Sequence, residues 1–202
     1  MRRHVLLTLT ALFLAVAIAA CGGGNDGDDE SVDTPGVTQE TAAPTNTASL
    51  GTSNAPVSRL IIPAIGLDRG TVPGLVDTRT QEMIAPRGAW DVAYYTYSAP
   101  PGKGNAVFSG HVDYIGIGPA VFWDLRKLEE GAEVIVRLAD GLDLRYPVRF
   151  HRLYEADDGP WEELFARDAG KDVITLYTCD GDFDRASQDY SQRRVVRAER
   201  SG

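Results

Sequence analysis

The chain of 202 residues carries 29 acidic and 20 basic residues, for a formal net charge of −9. It has no concentrated basic stretch and no nucleic-acid motif, which argues against binding to a phosphate backbone. Its two cysteines, Cys21 and Cys179, are too few for a disulfide-stabilised scaffold or a cysteine-ligated zinc site. The last 147 residues have the length and composition of one ordinary domain. The 55 residues before them do not have the composition of a folded domain.

Residues 1–21 have the features of an export signal. A positively charged start precedes an apolar run of 16 residues, 5–20, which is shorter than the ~20 residues that span a bilayer. The run ends in Ala-Ile-Ala-Ala-Cys at positions 17–21, which resembles the lipobox of bacterial lipoproteins. That resemblance implies a lipid on Cys21 that anchors the protein to the outer face of the cytoplasmic membrane. The alternative is an ordinary cleavage site at which Cys21 is incidental.

Residues 22–55 form a predicted linker. They are mostly Gly, Asp, Thr, Ser, Asn, Ala and Pro, with six acidic and no basic residues. Such a segment buries too little apolar surface to offset the entropy of ordering. We expect a disordered stalk with a reach of about 30–35 Å, at ~5–6 Å × √n for n residues. The folded domain is therefore predicted to span residues 56–202.

The domain is predicted to be mainly β-structure. Short segments of alternating apolar and polar residues are typical of strands with one buried face. Predicted strands cover residues 59–63, 106–110, 133–138, 142–150, 173–179 and 194–198, and short helices cover 119–125 and 160–165. Pro147 indicates an edge position or a bulge. The regular spacing of strands and turns favours a closed or nearly closed antiparallel barrel.

Three residue types in this domain have the chemistry of a reactive centre. Cys179 ends a predicted strand beside a polar turn, so it is either a small buried hydrophobe or a reactive thiol. His111 follows a predicted strand and Gly110, whereas His151 lies on the polar phase of its strand and is predicted to be a solvated surface residue. An imidazole beside a thiol activates it or protonates a leaving group. A lone histidine after a strand is more simply explained as structural.

Arginines at the start of the last predicted strand supply the third group. A guanidinium cannot act as a base at ordinary pH, but its fixed donors can hold an oxyanion or orient a carbonyl. Arg193 and Arg194 are the two candidates, and they point to opposite faces of the strand. Each of them alone would be a surface residue.

Three segments in this order resemble the motifs of the sortases, extracytoplasmic cysteine transpeptidases of bacteria. They are Ser-Gly-His at 109–111, Leu-Tyr-Thr-Cys at 176–179 and Arg-Arg-Val-Val-Arg-Ala at 193–198. The likeness runs from about residue 59 to 198, and residues 110–113, 118–122 and 178–184 look most like class F. It implies an eight-stranded antiparallel β-barrel with short helices, and it makes residues 56–202 a catalytic domain.

The resemblance also implies roles for individual residues. Cys179 matches the nucleophile, which attacks the Thr carbonyl of a Leu-Pro-x-Thr-Gly-like sorting signal. His111 matches the acid that protonates the departing amine and then the base that activates the incoming amine. Arg193 matches the arginine that stabilises the oxyanion or positions the substrate, with Arg194 as the second candidate. Some class F sequences place this arginine at the position of Ser191.

The expected partners follow from the same resemblance. The acyl donor would be the sorting-signal peptide of a secreted protein, and the acceptor an amine such as lipid II or a pilin lysine. Thr178 and Trp161, the latter in the loop of about 154–171, are the expected substrate-binding residues. No cofactor and no metal are expected: some sortases use calcium, but the sequence has no clear acidic cluster that would carry this over. We expect a monomer that does not bind nucleic acid.

Two other functions remain open from the sequence. A cysteine peptidase would use the same centre but pass the acyl group mainly to water. A catalytically silent, lipid-anchored binding barrel would show no reactivity at Cys179. The second alternative is disfavoured because all three reactive groups are present together.

Overall fold

The computed structural model describes residues 53–200, so the predicted signal peptide, Cys21 and most of the predicted linker lie outside the described residues. The described part begins at the edge of the predicted domain. Its strands are β1 (Val57–Ile62), β2 (Leu67–Pro73), β3 (Leu75–Val76), β4 (Met83–Ile84), β5 (Val92–Tyr94), β6 (Asn105–Ser109), β7 (Asp113–Tyr114), β8 (Gly118–Pro119), β9 (Glu133–Leu138), β10 (Asp143–Glu155), β11 (Val173–Asp184) and β12 (Asp189–Glu199). One short α-helix, α1 (Trp161–Phe165), precedes β11, and 3-10 turns cover Pro63–Ile65 and Trp123–Lys127.

Eight of these strands close into a barrel in the order β1-β2-β5-β6-β11-β12-β10-β9, and β9 pairs back onto β1. The predicted eight-stranded barrel is therefore confirmed. The expectation that every pairing is antiparallel is wrong, because β2 pairs with β5 and β6 pairs with β11 in parallel. Both pairs are joined by long crossover connections rather than by hairpins, and such connections are what parallel neighbours require.

Apolar side chains fill the barrel because alternate residues of each strand point to the same side. Leu60, Phe108, Val136, Ile174 and Val196 belong to one buried cluster, and each of them is fully buried. On β11 the inward phase is that of Ile174. The opposite phase therefore places Tyr177 and Cys179 on the outer face.

A second, smaller apolar cluster lies on that outer face. Buried Ala93, Tyr95 and Val107 pack against Met83 of β4 and Phe165 of α1. The β3–β4 hairpin and α1 are thereby held on the outside of the barrel. These two elements form the walls of the groove described below.

Several boundaries differ from the predictions for physical reasons. Strands β10 and β11 run beyond the predicted 142–150 and 173–179, because both remain paired with β12 past those ends. Strands β2 and β5 escaped prediction because the first is polar and the second is only three residues long. Pro147 is the last residue of β10 that pairs with β9, and the register shift toward β12 follows at 148–150, which agrees with the predicted bulge. No helix among residues 53–200 is long and apolar enough to cross a membrane.

Candidate active site

Cys179 and Arg193 lie directly opposite each other on the antiparallel strands β11 and β12. Opposite residues of such a pair point to the same face, and their Cβ atoms are about 4.5–5.5 Å apart. The face is the outer one, which also carries Tyr177. The Tyr177 hydroxyl accepts a 3.1 Å hydrogen bond from Nε of Arg193. The strand pairing thus places the guanidinium beside the thiol.

The parallel pairing of β6 with β11 brings His111 to the same place. Ser109 pairs with Tyr177, so two further residues along each strand lead to His111 and Cys179. The Thr178 hydroxyl donates a 2.7 Å hydrogen bond to the carbonyl of Gly110 and ties the two strand ends together. A cavity of about 270 Å³ is lined by His111, Cys179 and Arg193 together. The three groups that the sequence singled out therefore share one cavity.

Gly110 lets the histidine segment approach the barrel closely. A Cβ atom at this position would lie 2.6 Å from Cγ1 of Val121 and 3.1 Å from the ring of Phe122. Because both neighbours are buried, a larger residue would push the backbone outward and move His111 with it.

The imidazole of His111 is held by a backbone carbonyl. Its Nε2 lies 2.6 Å from the oxygen of Pro86, and its ring packs edge-on against Tyr114 at 5.1 Å. A carbonyl oxygen can only accept, so Nε2 must carry the proton of this hydrogen bond. Nδ1 is then the nitrogen that can exchange protons with a thiol or an amine.

The guanidinium of Arg193 is fixed by four hydrogen bonds. Besides Nε to Tyr177, Nη1 donates to the carbonyls of Tyr190 and Gln192, at 2.7 and 3.0 Å, and Nη2 donates to Asp189 at 2.6 Å. Arginine has five N–H donors, so one N–H of Nη2 is left for a substrate oxygen. This arginine is therefore both rigidly placed and still able to donate.

Arg194 has a different environment. Its Nε donates to Asp180 at 2.5 Å, and its Nη1 contacts Nε2 of His151. Both side chains of the Arg194–Asp180 pair are largely buried, with 11% and 15% of their surface exposed. The residue lies on the opposite face of β12 from Cys179, as its position in the strand predicts.

His151 is half-buried instead of solvated, which differs from the sequence-based prediction. Its Nδ1 lies 3.0 Å from the carbonyl oxygen of Leu128, and burial lowers its pKa below the ordinary value. The bulge in β10 between Val148 and Phe150 changes the phase of the strand just before this residue. Simple alternation therefore fails here. His151 contacts Arg194 and does not line the cavity with Cys179.

The thiol of Cys179 is half-buried, and its environment opposes ionisation. Burial raises the pKa of Cys179 above its ordinary value, and Arg193 lowers it in part. The carboxylates of Asp189, Asp113 and Asp180 act in the same direction as burial, because a negative charge disfavours a thiolate. At neutral pH the resting thiol is consequently mostly protonated.

Asp113 and Tyr190 belong to this site although the sequence did not single them out. Both line the cavity with Cys179, and the Tyr190 hydroxyl donates to Asp113 at 2.6 Å. The available signal was position: Asp113 is two residues after His111, and Tyr190 is three residues before Arg193. Residues this close to the reactive groups share their cavity, but their hydrogen bond spans 77 positions and follows only from the fold.

A wider groove of about 830 Å³ opens beside the cavity and shares Met83, Tyr177, Asp189 and Arg193 with it. Its floor and walls include four aromatic residues, Tyr97, Trp161, Phe165 and Tyr177. Trp161 begins α1 and stacks on Phe165 with their ring centroids 5.9 Å apart. Trp161 thus lines the groove. Thr178 is buried, and its hydroxyl is engaged by Gly110.

The described residues also bear on metal binding. Among residues 53–200, no group of three or more His, Cys, Asp or Glu side chains is arranged to hold a metal ion.

A closed β-barrel that presents a thiol, an imidazole and a guanidinium in one cavity defines a class of proteins with a cysteine-centred site. Residues 60–201 match the family model of the sortase domain. The match covers more than half of the chain, so the chain belongs to the sortase family. A search of curated proteins by sequence finds no match.

Solved structures with the same fold are also sortases. Sortase A from Corynebacterium diphtheriae is 25% identical with a TM-score of 0.52, over 74% of this chain and 63% of that chain. Sortase C-1 from Actinomyces oris is 24% identical with a TM-score of 0.52, over 73% and 75% of the two chains. A sortase D5 transpeptidase from Clostridium perfringens is 18% identical with a TM-score of 0.52, over 73% and 79%. This chain spans less than two thirds of the first of these proteins, and the other two likenesses concern the fold alone.

Proposed function

We propose that this protein is a sortase that cleaves a Leu-Pro-x-Thr-Gly-like sorting signal through a thioacyl-enzyme at Cys179 and transfers the acyl group to an amine. The observation that carries the proposal is the shared cavity of His111, Cys179 and Arg193. Each group is supplied by a different strand or strand end of the barrel. The proposal rests on this arrangement together with membership of the family.

The positions of the groove and of His111 determine how a peptide would lie. His111 must reach the departing amine, and it lines the small cavity but not the wide groove. The acyl side of the peptide, which stays on the enzyme, is therefore assigned to the groove that Trp161 lines. Trp161→Ala should change peptide preference more than thiol reactivity, and an unchanged preference would contradict this placement.

The reaction needs two acyl transfers. In the first, His111 takes the proton of the Cys179 thiol, the thiolate attacks the Thr carbonyl carbon, a C–S bond forms, the C–N bond breaks, and His111 delivers the proton to the departing amine. The free N–H of Arg193 donates to the carbonyl oxygen while it carries negative charge. In the second, an acceptor amine attacks the thioester carbonyl carbon, a new C–N bond forms and the C–S bond breaks. His111 removes a proton from the amine and returns it to the Cys179 sulfur, which restores the thiol.

Part of the proposal concerns the place of the enzyme in the cell. The sequence of residues 1–21 supports export and lipidation at Cys21, and residues 22–55 would then space the domain 56–202 from the membrane. Assignment to class F rests on residues 110–113, 118–122 and 178–184. Lipid II or a pilin lysine is the proposed acceptor, and we propose that the enzyme acts as a monomer outside the cytoplasm.

Mass spectrometry of the intact protein after incubation with a sorting-signal peptide tests the central step. We expect a thioester adduct on Cys179 that disappears on addition of an amine, together with a new amide product. Cys179→Ala should form neither adduct nor product, and full activity in that variant would refute the proposal. Failure of the wild-type protein to acylate, with a thiol inert to alkylation, would instead support a silent binding barrel.

Hydrolysis is the other enzymatic candidate. It uses the same groups, but water replaces the acceptor amine. The ratio of amide product to free acid at increasing amine concentration separates the two. A ratio that stays near zero would identify a peptidase.

A further inference from the structure

The wide groove has an apolar floor on which a peptide could rest. Trp161 stacks on Phe165, and Phe165 packs edge-on against Tyr177 with ring centroids 5.2 Å apart. This row of rings ends at Cys179, since Tyr177 is two residues before it on the same face of β11. A peptide that enters the catalytic cavity from the groove must therefore cross the aromatic surface. Aliphatic side chains would bind to it by burial.

The two walls of the groove carry negative charge. Glu82 stands just before β4 in the β3–β4 hairpin, Asp157 stands in the turn after β10, and both line the groove. Both side chains are exposed, and neither forms an ion pair within residues 53–200. Glu82 accepts one hydrogen bond, from the Thr80 hydroxyl at 3.1 Å. Two carboxylates therefore face one groove without a basic partner.

The basic residue that lines the groove does not neutralise these carboxylates. The guanidinium of Arg193 is already paired with Asp189 at 2.6 Å, and Asp189 also lines the groove. This pair contributes no net charge. The groove as a whole is therefore apolar at its floor and anionic at its walls.

We propose that the groove binds a sorting signal with a lysine or arginine at the variable position of its Leu-Pro-x-Thr-Gly-like motif. The inference rests on the proposed function, and charge complementarity with Glu82 and Asp157 carries it. Successive residues of an extended peptide rise ~3.3 Å each and point to alternate sides. The proline of the motif then contacts the rings, and the basic side chain of the next residue points away from them and reaches a carboxylate at the wall.

Three peptides that differ only at the variable position, as Lys, Gln or Glu, test this preference. We expect kcat/KM for acylation of the full protein to fall in the order Lys, Gln, Glu, by roughly two- to fivefold for each solvent-exposed carboxylate engaged. The differences should shrink in high salt, because exposed charges are screened. Equal rates for the three peptides would overturn the inference.

Substitution of Glu82 and Asp157 is the second test of this preference. The double variant Glu82→Gln, Asp157→Asn should remove most of the discrimination, and Glu82→Lys with Asp157→Lys should favour the Glu peptide. Glu130→Gln is a matched control, because Glu130 is an exposed acid in the turn before β9 and does not line the groove. Discrimination that survives the double variant, or that the control abolishes, would contradict the assignment to these two carboxylates.

The inference and the proposed function fail in different ways. If all three peptides acylate Cys179 equally, the sortase proposal stands and the charge preference is wrong. If none acylates Cys179 while iodoacetamide still does, the proposed function is refuted, and the inference with it.

Discussion

The Tyr190 hydroxyl donates a 2.6 Å hydrogen bond to Asp113, and this bond joins β12, which carries Arg193, to the segment that follows His111. The backbone carbonyl of Tyr190 also accepts a hydrogen bond from Arg193 at 2.7 Å. Burial, and then the bond to Asp113, raise the pKa of Tyr190 far above its ordinary value, so the phenol is a stable donor. One residue thus fixes the arginine and the histidine segment relative to each other.

Tyr190→Phe should lower the acylation rate while leaving the fold intact. The ring and its contact with Phe183, at 5.1 Å between centroids, are retained, and only the hydroxyl is lost. Because hydrogen bonds to charged groups contribute about 1.5–3 kcal/mol, we expect a roughly three- to tenfold loss in kcat/KM if half of that energy serves positioning. Steady-state peptide kinetics and a thermal melt measure the two effects separately.

The control for this variant is Tyr114→Phe, which removes the hydroxyl that donates to the carbonyl of Arg87 at 2.8 Å. That bond is exposed and does not involve Arg193. We expect the control to lose much less activity. The double variant Tyr190→Phe, Asp113→Ala should be no worse than the poorer single variant, and fully additive losses would show that the bond does not couple the two elements.

The reactivity of Cys179 should rise with pH into the alkaline range. Burial raises its pKa above the ordinary value, and the thiolate is the reactive form, so alkylation accelerates as pH increases toward that pKa. Two variants should shift this profile in opposite directions. Arg193→Gln removes a charge that lowers the pKa and should slow alkylation at neutral pH. Asp113→Asn removes a charge that raises it and should speed alkylation, each by roughly two- to fivefold.

The rate of iodoacetamide modification as a function of pH, followed by mass spectrometry, measures these shifts. Asp113→Asn suits this experiment better than Asp189→Asn, because Asp189 also holds Arg193 at 2.6 Å. An amide oxygen at position 113 still accepts from Tyr190, so the local hydrogen bond is kept. A change in alkylation rate in the same direction for Arg193→Gln and Asp113→Asn would contradict the predicted effect of these charges on the Cys179 pKa.

Arg193 and Arg194 should separate into a functional and a structural residue. Arg193→Gln leaves Cys179 in place but removes the cavity guanidinium, so we expect a loss of acylation with a small change in melting temperature.

Arg194→Gln leaves Asp180 largely buried and uncompensated, and breaking such pairs costs about 3–5 kcal/mol when burial is complete. It should therefore lower stability while retaining acylation at temperatures where the protein is folded. Paired melts and peptide assays of the two variants test this, and loss of acylation confined to Arg194→Gln would exchange the two roles.

The sequence was informative where the pattern is local. The strand at 133–138 was predicted with the observed bounds, and the face of Arg193 followed from strand alternation. His151 was assigned wrongly, because the bulge after Val148 changes the strand phase. That bulge results from β10 leaving one neighbour for another, which is a tertiary event.

The proximity of His111 to Cys179 could be expected from the family resemblance but not from the local sequence pattern. It depends on the parallel pairing of β6 with β11, whose partners lie 68 positions apart, such as Ser109 and Tyr177. An antiparallel pairing would have sent the two residues to opposite ends of the sheet. Alternation of side chains carries no information on strand direction, so the all-antiparallel expectation had no local evidence to correct it.

His111 should carry its proton on Nε2 whenever it is neutral. The Pro86 carbonyl lies 2.6 Å from Nε2 and can only accept, so the other tautomer would bring two lone pairs together. Nitrogen-15 chemical shifts of the labelled, neutral imidazole distinguish the two nitrogens. We expect a protonated Nε2 and a bare Nδ1, and we expect that alkylation of Cys179 leaves this unchanged because the bond involves the far side of the ring. A spectrum with the proton on Nδ1 would show that Pro86 does not orient the histidine, and it would transfer the acid–base role to Nε2.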